Sequence, residues 1–229
     1  MHNSISIITV TYNAAETIEA TLKSIVVNGK GCNCIVVDGL SSDNTIAIVN
    51  RYKKLLNICV LSEPDKGIYD AMNKGIALAK SNFVCFINSG DILFQLPNLI
   101  EIPNDIDLLC FPVKINNRII IPKFNRMIKL HNTIPHQGCF YKTNSNLKYN
   151  LKYKIFSDYD LNLNFFKQKK NVLLFKSPII AEHILDGVSN QKKNSKELFK
   201  VIKDNSGYFV LILSFLFFKI RGIKRKLTF

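Results

Sequence analysis

The stretch FVCFINSGD, residues 83–91, runs from five apolar residues through a polar turn into a carboxylate. Two earlier stretches, IVVD (35–38) and VLSEPD (60–65), follow the same pattern. Short apolar runs bounded by Gly, Ser and Asp are typical of buried strands in an α/β sheet. The acidic residues then lie just past the carboxyl ends of the strands, where open α/β sheets bind their ligands.

The spacing of apolar residues predicts that strands and helices alternate along the first half of the chain. The predicted strands are 6–10, 34–37, 58–61 and 82–87, and the predicted helices are 14–28, 44–54 and 68–80. Regular alternation implies parallel strands joined by right-handed crossovers. In the second half the pattern predicts strands at 108–113, 118–122 and 139–142 and a helix at 158–166. The sequence therefore predicts an α/β fold.

Composition allows a substantial core, and the charge is unevenly distributed. The chain has 229 residues, 47% of them hydrophobic, which is enough for one large domain and argues against disorder. The first 110 residues hold 8 Lys and Arg against 11 Asp and Glu, whereas residues 111–229 hold 23 against 6. A basic surface attracts nucleic acid, anionic lipid or a phosphorylated substrate, and a merely solvated lysine-rich surface is the alternative.

Six cysteines, most of them inside apolar runs, predict the reduced and mostly buried thiols of a cytosolic protein. Strand-like residues begin at Ile5, so we predict no signal peptide at the start of the chain. Neither G-x-G-x-x-G nor a P-loop motif follows the first strand. This disfavours a dinucleotide dehydrogenase and a P-loop enzyme.

The loops after the first two strands carry residues suited to a nucleotide. Thr11, Tyr12 and Asn13 can stack on a base or ribose and donate hydrogen bonds. Asp38 can accept from the N–H of a uracil ring or from a ribose hydroxyl. Either loop alone would be ordinary turn chemistry, but their position at successive strand ends favours a binding site.

The third loop, residues 62–67, is dense in polar groups and leads into a predicted helix. Gly67 gives the backbone room to approach a ligand, and Lys66 can offset phosphate charge. Asp70 lies in the first helical turn, where a carboxylate suits the helix dipole without any ligand. For Asp70 the structural and functional interpretations both stay open.

The fourth loop supplies the candidate metal ligand. A carboxylate such as Asp91, reached through a flexible Gly90, can bind Mg²⁺ or Mn²⁺ that bridges a diphosphate. Such a metal would stabilise the charge that builds on a leaving diphosphate.

Seven stretches in order along residues 5–190 resemble the inverting family-two glycosyltransferases with the GT-A fold. Four lie in the first half: IITVTYN (7–13), IVVDGLSSDNT (35–45), SEPDKGIYDAMNKGIALA (62–79) and FINSGD (86–91). Three looser ones follow: PHQGCFYK (135–142), FSDYDLNL (156–163) and DGVSN (186–190). Within the family, the chain is most similar to bacterial transferases that build surface polysaccharide.

The resemblance implies a mixed GT-A sheet flanked by helices, a nucleotide-diphosphate sugar donor and a divalent metal, Mn²⁺ or Mg²⁺. It makes Asp91 the metal-binding end of the family's D-x-D element, although Asn88 and Ser89 stand where many members have Asp. A neutral Asn88 can still bond to the ribose or to a metal-bound water. The remaining residues that the resemblance places around the nucleoside and donor sugar are Thr11, Tyr12, Asn13, Asp38, Asp65, Lys66 and Asp70.

The resemblance also makes Asp158 the candidate general base, with Ser157 in place of the Glu of the family's Glu-Asp pair. One carboxylate suffices to remove the proton from an acceptor hydroxyl in an inverting displacement. Asp160 is an alternative, but helix positions two apart do not face together, so we favour Asp158.

Three further residues are candidates for contacts with the acceptor, a phosphate or the metal. His136 and Gln137 lie in a predicted loop before the strand at 139–142, and His183 lies shortly before the DGVSN stretch. An isolated loop histidine is more often a local hydrogen-bonding residue, so this alternative stays open for His136. A side chain near His183 could complete a metal shell.

The segment Gly207–Ile220 is almost continuously apolar, and basic residues follow its last phenylalanine, Phe218: Lys219, Arg221, Lys224, Arg225 and Lys226. It falls short of the roughly 20 residues that a membrane-spanning helix needs. An apolar segment with a basic flank suits insertion at an anionic membrane surface. Packing on the chain's own domain or in a dimer is the alternative, and the sequence leaves the oligomeric state open.

Together these features predict a GT-A catalytic domain over residues 1–190, with a nucleotide-sugar half (1–110) and an acceptor half (111–190), and a helical extension over 191–229. The predicted function is inverting transfer of a sugar from a UDP-sugar to a hydroxyl of a glycan or lipid-linked acceptor, at the inner face of the cytoplasmic membrane. A sugar-phosphate nucleotidyltransferase and a basic nucleic-acid-binding protein are the alternatives. No specific nucleic-acid motif supports the second of them.

Overall fold

The computed structural model describes residues 4–100, 102–143, 146–183 and 194–227, with the side chains of 223–227 excluded. The DGVSN stretch at 186–190 therefore lies outside the described residues, as do the side chains of Lys224, Arg225 and Lys226. In chain order the strands are β1 (Ile5–Thr11), β2 (Asn33–Asp38), β3 (Ile58–Ser62), β4 (Phe83–Phe86), β5 (Ile92–Leu93), β6 (Leu108–Cys110), β7 (Val113–Ile115), β8 (Arg118–Ile120), β9 (Cys139–Lys142), β10 (Val172–Leu174) and β11 (Ala181–His183). The α-helices are α1 (Ile18–Asn28), α2 (Thr45–Tyr52), α3 (Ile68–Leu78), α4 (Ser157–Lys167) and α5 (Ser195–Leu227).

A seven-stranded mixed sheet organises the fold, in the order β10-β6-β9-β4-β1-β2-β3. The four strands of the first half pair in parallel, which confirms the prediction from their alternation with helices. The sheet becomes mixed because β9 runs antiparallel to both β4 and β6. The parallel strands bring the loops that follow β1, β2 and β4 to one edge of the sheet.

Two apolar layers cover the two faces of this sheet. Successive side chains of β2 alternate between them: Val36 packs with α1 and α2, whereas Val37 packs with α3. Helix α3 lies close to β1 because Gly75 has no side chain, and a Cβ there would come 2.5 Å from a methyl carbon of Ile8. Five of the six cysteines are buried or partly buried, which agrees with the predicted burial of most thiols, and all six are unpaired with one another.

The predicted single strand at 108–113 is wrong, because the chain changes sheets within it. Strand β6 ends at Cys110, and β7 begins at Val113 in a separate four-stranded sheet of order β5-β11-β7-β8. Pro112 lies between them and has no N–H with which to continue a strand ladder. The second sheet carries β11, which ends in His183.

Helix α5 lies within the predicted helical extension and contains the apolar segment, but it also includes the residues before Gly207. Gly207 adopts φ 80° and ψ 175°, so two helical segments meet there at a kink. Residues 195–222 are long and apolar enough to cross a membrane by length and composition alone, and 17% of their most apolar window is buried. The expectation of a segment too short to span therefore holds only for the part after Gly207.

Candidate active site

Four loops lie at the carboxyl edge of the large sheet, and three of them enclose a cleft of about 310 Å³. The loops follow β1, β2, β3 and β4, and the parallel pairing of these strands places them side by side. The cleft is lined by residues of three of the loops and the start of α3: Val10, Thr11, Tyr12, Ala14, Asp65, Gly67, Ile68, Ala71, Asn88 and Ser89. Four of the predicted donor residues, Thr11, Tyr12, Asp65 and Asn88, therefore share one cavity.

The loop after β1 presents two of its three predicted residues to this cleft. The hydroxyl oxygen of Thr11 is buried and has no hydrogen-bond partner among the described residues. Tyr12 is 63% exposed at the mouth of the cleft, where its ring is free to stack on a flat ligand. Asn13 instead braces the loop, since its Oδ1 accepts a 2.9 Å hydrogen bond from the backbone N–H of Ser42.

Asp38 does not line the cleft, and its predicted contact with a nucleotide stays a prediction. The residue is fully buried, and its carboxylate accepts hydrogen bonds from the Ser41 hydroxyl, the Ser41 backbone N–H at 3.0 Å and the Ser62 hydroxyl at 2.7 Å. Ser41 in turn accepts from the backbone N–H of Asn13 at 2.8 Å. Asp38 thus ties the loops after β1, β2 and β3 together and shapes the cleft from beneath.

The loop before α3 divides its predicted residues between two cavities. Oδ1 of Asp65 accepts a 2.7 Å bond from the N–H of Gly67, whose φ of 113° lets the chain turn sharply into the helix. Oδ2 of Asp70 accepts a 3.0 Å bond from the N–H of Lys66. Lys66 and Asp70 line a neighbouring cavity of about 300 Å³ with Tyr153, so the structure does not bring them into the main cleft.

Asp91 lies at the inner end of the fourth loop, almost completely buried at 3% exposure. Its Oδ1 is 2.5 Å from Nδ1 of His183, and its Oδ2 accepts from the backbone N–H of Asn88 at 3.1 Å and from the Gln137 amide at 3.4 Å. The carboxylate raises the pKa of His183 above its usual value by hydrogen bonding to the ring. Gln137 and His183, two candidate residues far from Asp91 in sequence, therefore both contact the predicted metal ligand.

The groups around Asp91 fit a divalent cation that is bound together with a phosphate ligand. Within residues 4–100, 102–143, 146–183 and 194–227, no three His, Cys, Asp or Glu side chains are grouped as an all-protein metal site. Mg²⁺, however, commonly takes one or two protein ligands and completes its shell with water and phosphate oxygens. Asp91 and His183 provide two ligands, and the buried Oδ1 of Asn88, unpartnered among the described residues, is a third candidate.

Asp158 lies in the first turn of α4, with 15% of its side chain exposed. Its Oδ2 accepts a 3.0 Å bond from the Asn132 amide, and its Oδ1 lies 3.1 Å from the Tyr69 hydroxyl. Burial, followed by the charge of Asp158, raises the pKa of Tyr69 well above its usual value. Tyr69 therefore stays protonated and can donate its proton to Asp158 or to the carbonyl oxygen of Ile155, 2.6 Å away.

His136 links the two carboxylates. Its Nε2 is 3.4 Å from the amide nitrogen of Asn88, and its Nδ1 is 3.9 Å from Oδ2 of Asp158. Because Asn88 donates its backbone N–H to Asp91, a continuous line of polar groups runs from Asp91 to Asp158. The contacts thus place the two carboxylates at the ends of one line of polar groups beside the cleft, a relation that the sequence could suggest only through the resemblance. Of this line, Asn88 is the residue that lines the cleft itself.

Asp160 faces away from this cleft. It is 5% exposed, and its carboxylate accepts hydrogen bonds from the amides of Asn150, Asn164 and Asn205 at 3.3, 3.2 and 2.6 Å. These bonds join α4 to α5 and to the segment before α4. The alternative that Asp160 contacts the acceptor therefore has no support from its position.

A mixed α/β sheet with a polar cleft at its carboxyl edge, and with two carboxylates joined by polar contacts beside that cleft, is the arrangement expected of glycosyltransferases with the GT-A fold. The family model "Glycosyl transferase family 2" matches residues 6–217. The chain belongs to this family, which confirms the resemblance drawn from the sequence.

Two bacterial proteins that are named as glycosyltransferases are similar to this chain over different lengths. A PGL/p-HBAD biosynthesis glycosyltransferase of Mycobacterium bovis (strain BCG / Pasteur 1173P2) is 29% identical over 202 residues, or 81% of this chain and 78% of the relative. A UDP-Glc:alpha-D-GlcNAc-diphosphoundecaprenol beta-1,3-glucosyltransferase of Escherichia coli is 34% identical over 88 residues, or 38% and 35%.

Solved structures of low sequence identity share the fold. The S. aureus TarS fragment 1–349 in complex with UDP-GlcNAc superposes with a TM-score of 0.68 at 20% identity, covering 86% of this chain and 64% of that one. A mannosyltransferase from Pyrobaculum calidifontis in complex with GDP-Man and Mn²⁺ gives 0.65 at 13% identity, covering 88% and 62%. The chain spans less than two thirds of either solved chain.

Proposed function

We propose that this protein transfers a sugar, with inversion, from a UDP-sugar to a hydroxyl of a glycan or lipid-linked acceptor in the biosynthesis of a bacterial polysaccharide or glycolipid. The observation that carries the proposal is the line of polar contacts that joins Asp91 to Asp158 through Asn88 and His136, beside the cleft that Asn88 lines. Inverting transfer needs a site for the leaving diphosphate and a base on the opposite side of the anomeric carbon.

The donor half of the cleft suits a nucleotide diphosphate. The unpartnered oxygens of Thr11 and Asn88 supply hydrogen-bonding capacity that the described residues leave unused, and Tyr12 supplies an exposed ring at the entrance. Buried polar atoms without partners are rare because leaving them without a hydrogen bond costs free energy. A polar ligand that contacts them removes this free-energy cost. A donor complex of a structural neighbour, that of TarS with UDP-GlcNAc, favours a UDP-sugar.

Asp91, His183 and Asn88 are the residues that would hold a divalent cation. The cation would supply positive charge to stabilise the leaving diphosphate. The mannosyltransferase neighbour that contains Mn²⁺ favours manganese. In this chain, Nδ1 of the His183 ring donates to Oδ1 of Asp91 at 2.5 Å and thereby fixes the orientation of the carboxylate.

Asp158 is the proposed general base. Its side chain is 15% exposed, and Tyr69 and Asn132 each contact one of its carboxylate oxygens. It removes the proton of the acceptor hydroxyl while that oxygen attacks the anomeric carbon from the face opposite the diphosphate. His136, at 3.9 Å from Asp158, lies where it can contact the acceptor or a donor phosphate.

We propose that the C-terminal helix attaches the protein to anionic lipid at the inner face of the cytoplasmic membrane. After Gly207, one side of α5 exposes large apolar residues: Tyr208, Phe209, Ile212, Phe215, Leu216 and Ile220, at 47–74% exposure. The opposite side is docked, since Ser214 is fully buried. Lys219 and Arg221 follow the apolar face, and basic residues beside an apolar helix favour anionic lipid.

A calorimetric panel tests the donor assignment. UDP-Glc, UDP-GlcNAc, GDP-Man and UDP are titrated into the protein with and without MnCl₂. We expect at least one UDP-sugar to bind, more tightly with Mn²⁺, and GDP-Man to bind more weakly. Absence of binding by every nucleotide would contradict the proposal, and release of pyrophosphate rather than UDP during turnover would identify a nucleotidyltransferase instead.

Vesicle sedimentation tests the membrane assignment with a matched pair of variants. Phe215 on α5 and Ile119 on β8 are each 57% exposed, so Phe215→Glu and Ile119→Glu introduce the same charge at equally exposed apolar sites. We expect Phe215→Glu alone to release the protein from phosphatidylglycerol vesicles. Equal release by both variants would contradict the assignment, as would self-association of the wild type through α5 without vesicle binding.

A further inference from the structure

We propose that Asn132 is a positioning residue for Asp158 and that the C-terminal helix holds the Asn132 segment in place. The inference rests on the proposed role of Asp158 as the base. It joins two parts of the chain with no evident relation in sequence, the loop at 130–134 and the part of α5 beyond Gly207.

Three hydrogen bonds fix the orientation of the Asn132 amide. Its Oδ1 accepts from the backbone N–H of Ile134 and from the Asn162 amide, both at 3.2 Å. Because both of those partners are donors, the oxygen must face them and the NH₂ group must face Asp158. The NH₂ group then donates to Oδ2 of Asp158 at 3.0 Å. Asn162 is itself fully buried, so this side of the network is rigid.

The two residues before Asn132 are held by α5. The Ser214 hydroxyl donates a 2.6 Å hydrogen bond to the carbonyl oxygen of Leu130, and Ser214 is fully buried. The His131 ring stacks on Phe217, with ring centroids 4.9 Å apart and planes 6° from parallel. The backbone that carries Asn132 is therefore anchored to the same helix that exposes the apolar face.

This arrangement gives the base one defined position. Tyr69 donates toward one oxygen of Asp158 and Asn132 toward the other, so loss of the Asn132 donor frees the carboxylate to turn toward His136. A displacement of about 1 Å at a reacting group can cost about 100-fold in rate. We therefore expect variants that remove this donor to lose kcat while the donor sugar binds normally.

Asn132→Asp separates positioning from a purely structural role. Aspartate keeps an oxygen that accepts from Ile134 and Asn162, but it replaces the donor that faces Asp158 with a second carboxylate oxygen. The matched control is Asn98→Asp, since Asn98 makes a similar local bond to the N–H of Ile100 in a loop away from the cleft. UDP release is measured with a UDP-sugar from the calorimetric panel and water or GlcNAc-diphosphoundecaprenol as acceptor.

We expect Asn132→Asp and Asn132→Ala to lower kcat by about 10- to 100-fold, with the donor KM within about 2-fold of wild type. Asn98→Asp should leave both constants unchanged. Ser214→Ala should lower kcat by about 2- to 10-fold without changing donor affinity, because it loosens the segment rather than removing the donor. Wild-type kcat for Asn132→Asp would overturn the assignment of Asn132, and wild-type kcat for Ser214→Ala would overturn the role of α5.

Two further measurements keep this inference separate from the proposed function. Asp158→Asn is assayed alongside Asn132→Asp. Wild-type activity of Asp158→Asn would refute the assignment of the base. An inactive Asp158→Asn together with a fully active Asn132→Asp would refute only the positioning role of Asn132. A crystal structure of Asn132→Asp provides a readout that does not depend on turnover. It should show the Asp158 carboxylate turned away from residue 132, and an unchanged carboxylate would overturn the inference.

Discussion

Replacing Asp160 should lower the stability of the folded protein without affecting catalysis, although the residue is only two positions from the proposed base. Asp160 is 5% exposed and accepts three amide hydrogen bonds, from Asn150, Asn164 and Asn205. The shortest, 2.6 Å to Asn205, connects α4 to the first segment of α5. Asp160→Ala removes the common acceptor of all three.

The expected loss follows from which of the three bonds are protected from water. Asn150 is exposed, so its amide regains water and its bond contributes little. Asn164 and Asn205 are partly buried, and hydrogen bonds to a charged group contribute about 1.5 to 3 kcal/mol each before re-solvation. We expect the free energy of unfolding to fall by about 2 to 4 kcal/mol. For a chain of this length, that lowers the Tm by roughly 4 to 16 °C.

Urea denaturation and UDP release measure the two properties separately, with Asp158→Ala as the matched variant. Asp160→Ala should lose stability and keep kcat at 20 °C, where most of it is folded. Asp158→Ala should change stability much less and lose kcat by about 100- to 10,000-fold. A stable Asp160→Ala that has lost kcat would refute this division and return Asp160 to the list of residues that act on the acceptor.

Two other predictions concern packing and pH. Gly75→Ala should lower the free energy of unfolding by about 1 to 3 kcal/mol, because the new methyl group would lie 2.5 Å from a side-chain carbon of Ile8. Unchanged thermal unfolding of this variant would mean that α3 does not pack this closely on β1. Burial lowers the pKa of His131 below its usual 6.5. In acid, the folded state therefore binds fewer protons than the unfolded state. The free energy of unfolding falls as the pH drops from 6.5 through the lowered pKa. His131→Gln should therefore show a weaker loss of stability between pH 7 and pH 5 than wild type, and an identical pH dependence of the two proteins would contradict this.

The first half of the fold was predictable because its signal is local. Apolar runs of four to six residues alternate with helical spacing, and parallel pairing follows from that alternation alone. The switch of sheets at Pro112 was not recognised because residues 108–113 are apolar throughout, and only the missing N–H of proline marks the break. The helical extension predicted over 191–229 contains α5, but no local pattern indicates that Gly207 introduces a kink within it.

The candidate site was predictable in its acidic residues and not in their partners. Asp91 and Asp158 follow from strand ends and from resemblance, but Tyr69 and Asn132 contact Asp158 from 89 and 26 residues away, and no local pattern indicates such contacts. The internal partners of Asp38 were equally hidden from the sequence. A carboxylate at the end of a strand suits a ligand, yet two nearby hydroxyl-bearing residues, Ser41 and Ser62, satisfy it internally.

A crystal structure of the protein grown with UDP and MnCl₂ would test the central claim most directly. The account predicts the uridine beside Tyr12 and Thr11, the diphosphate against Asn88 and Asp91, and open space between the diphosphate and Asp158 for a sugar and an acceptor. Ordered UDP in a different cavity, such as the one lined by Lys66 and Asp70, with Asp91 and Asp158 both out of contact, would contradict it.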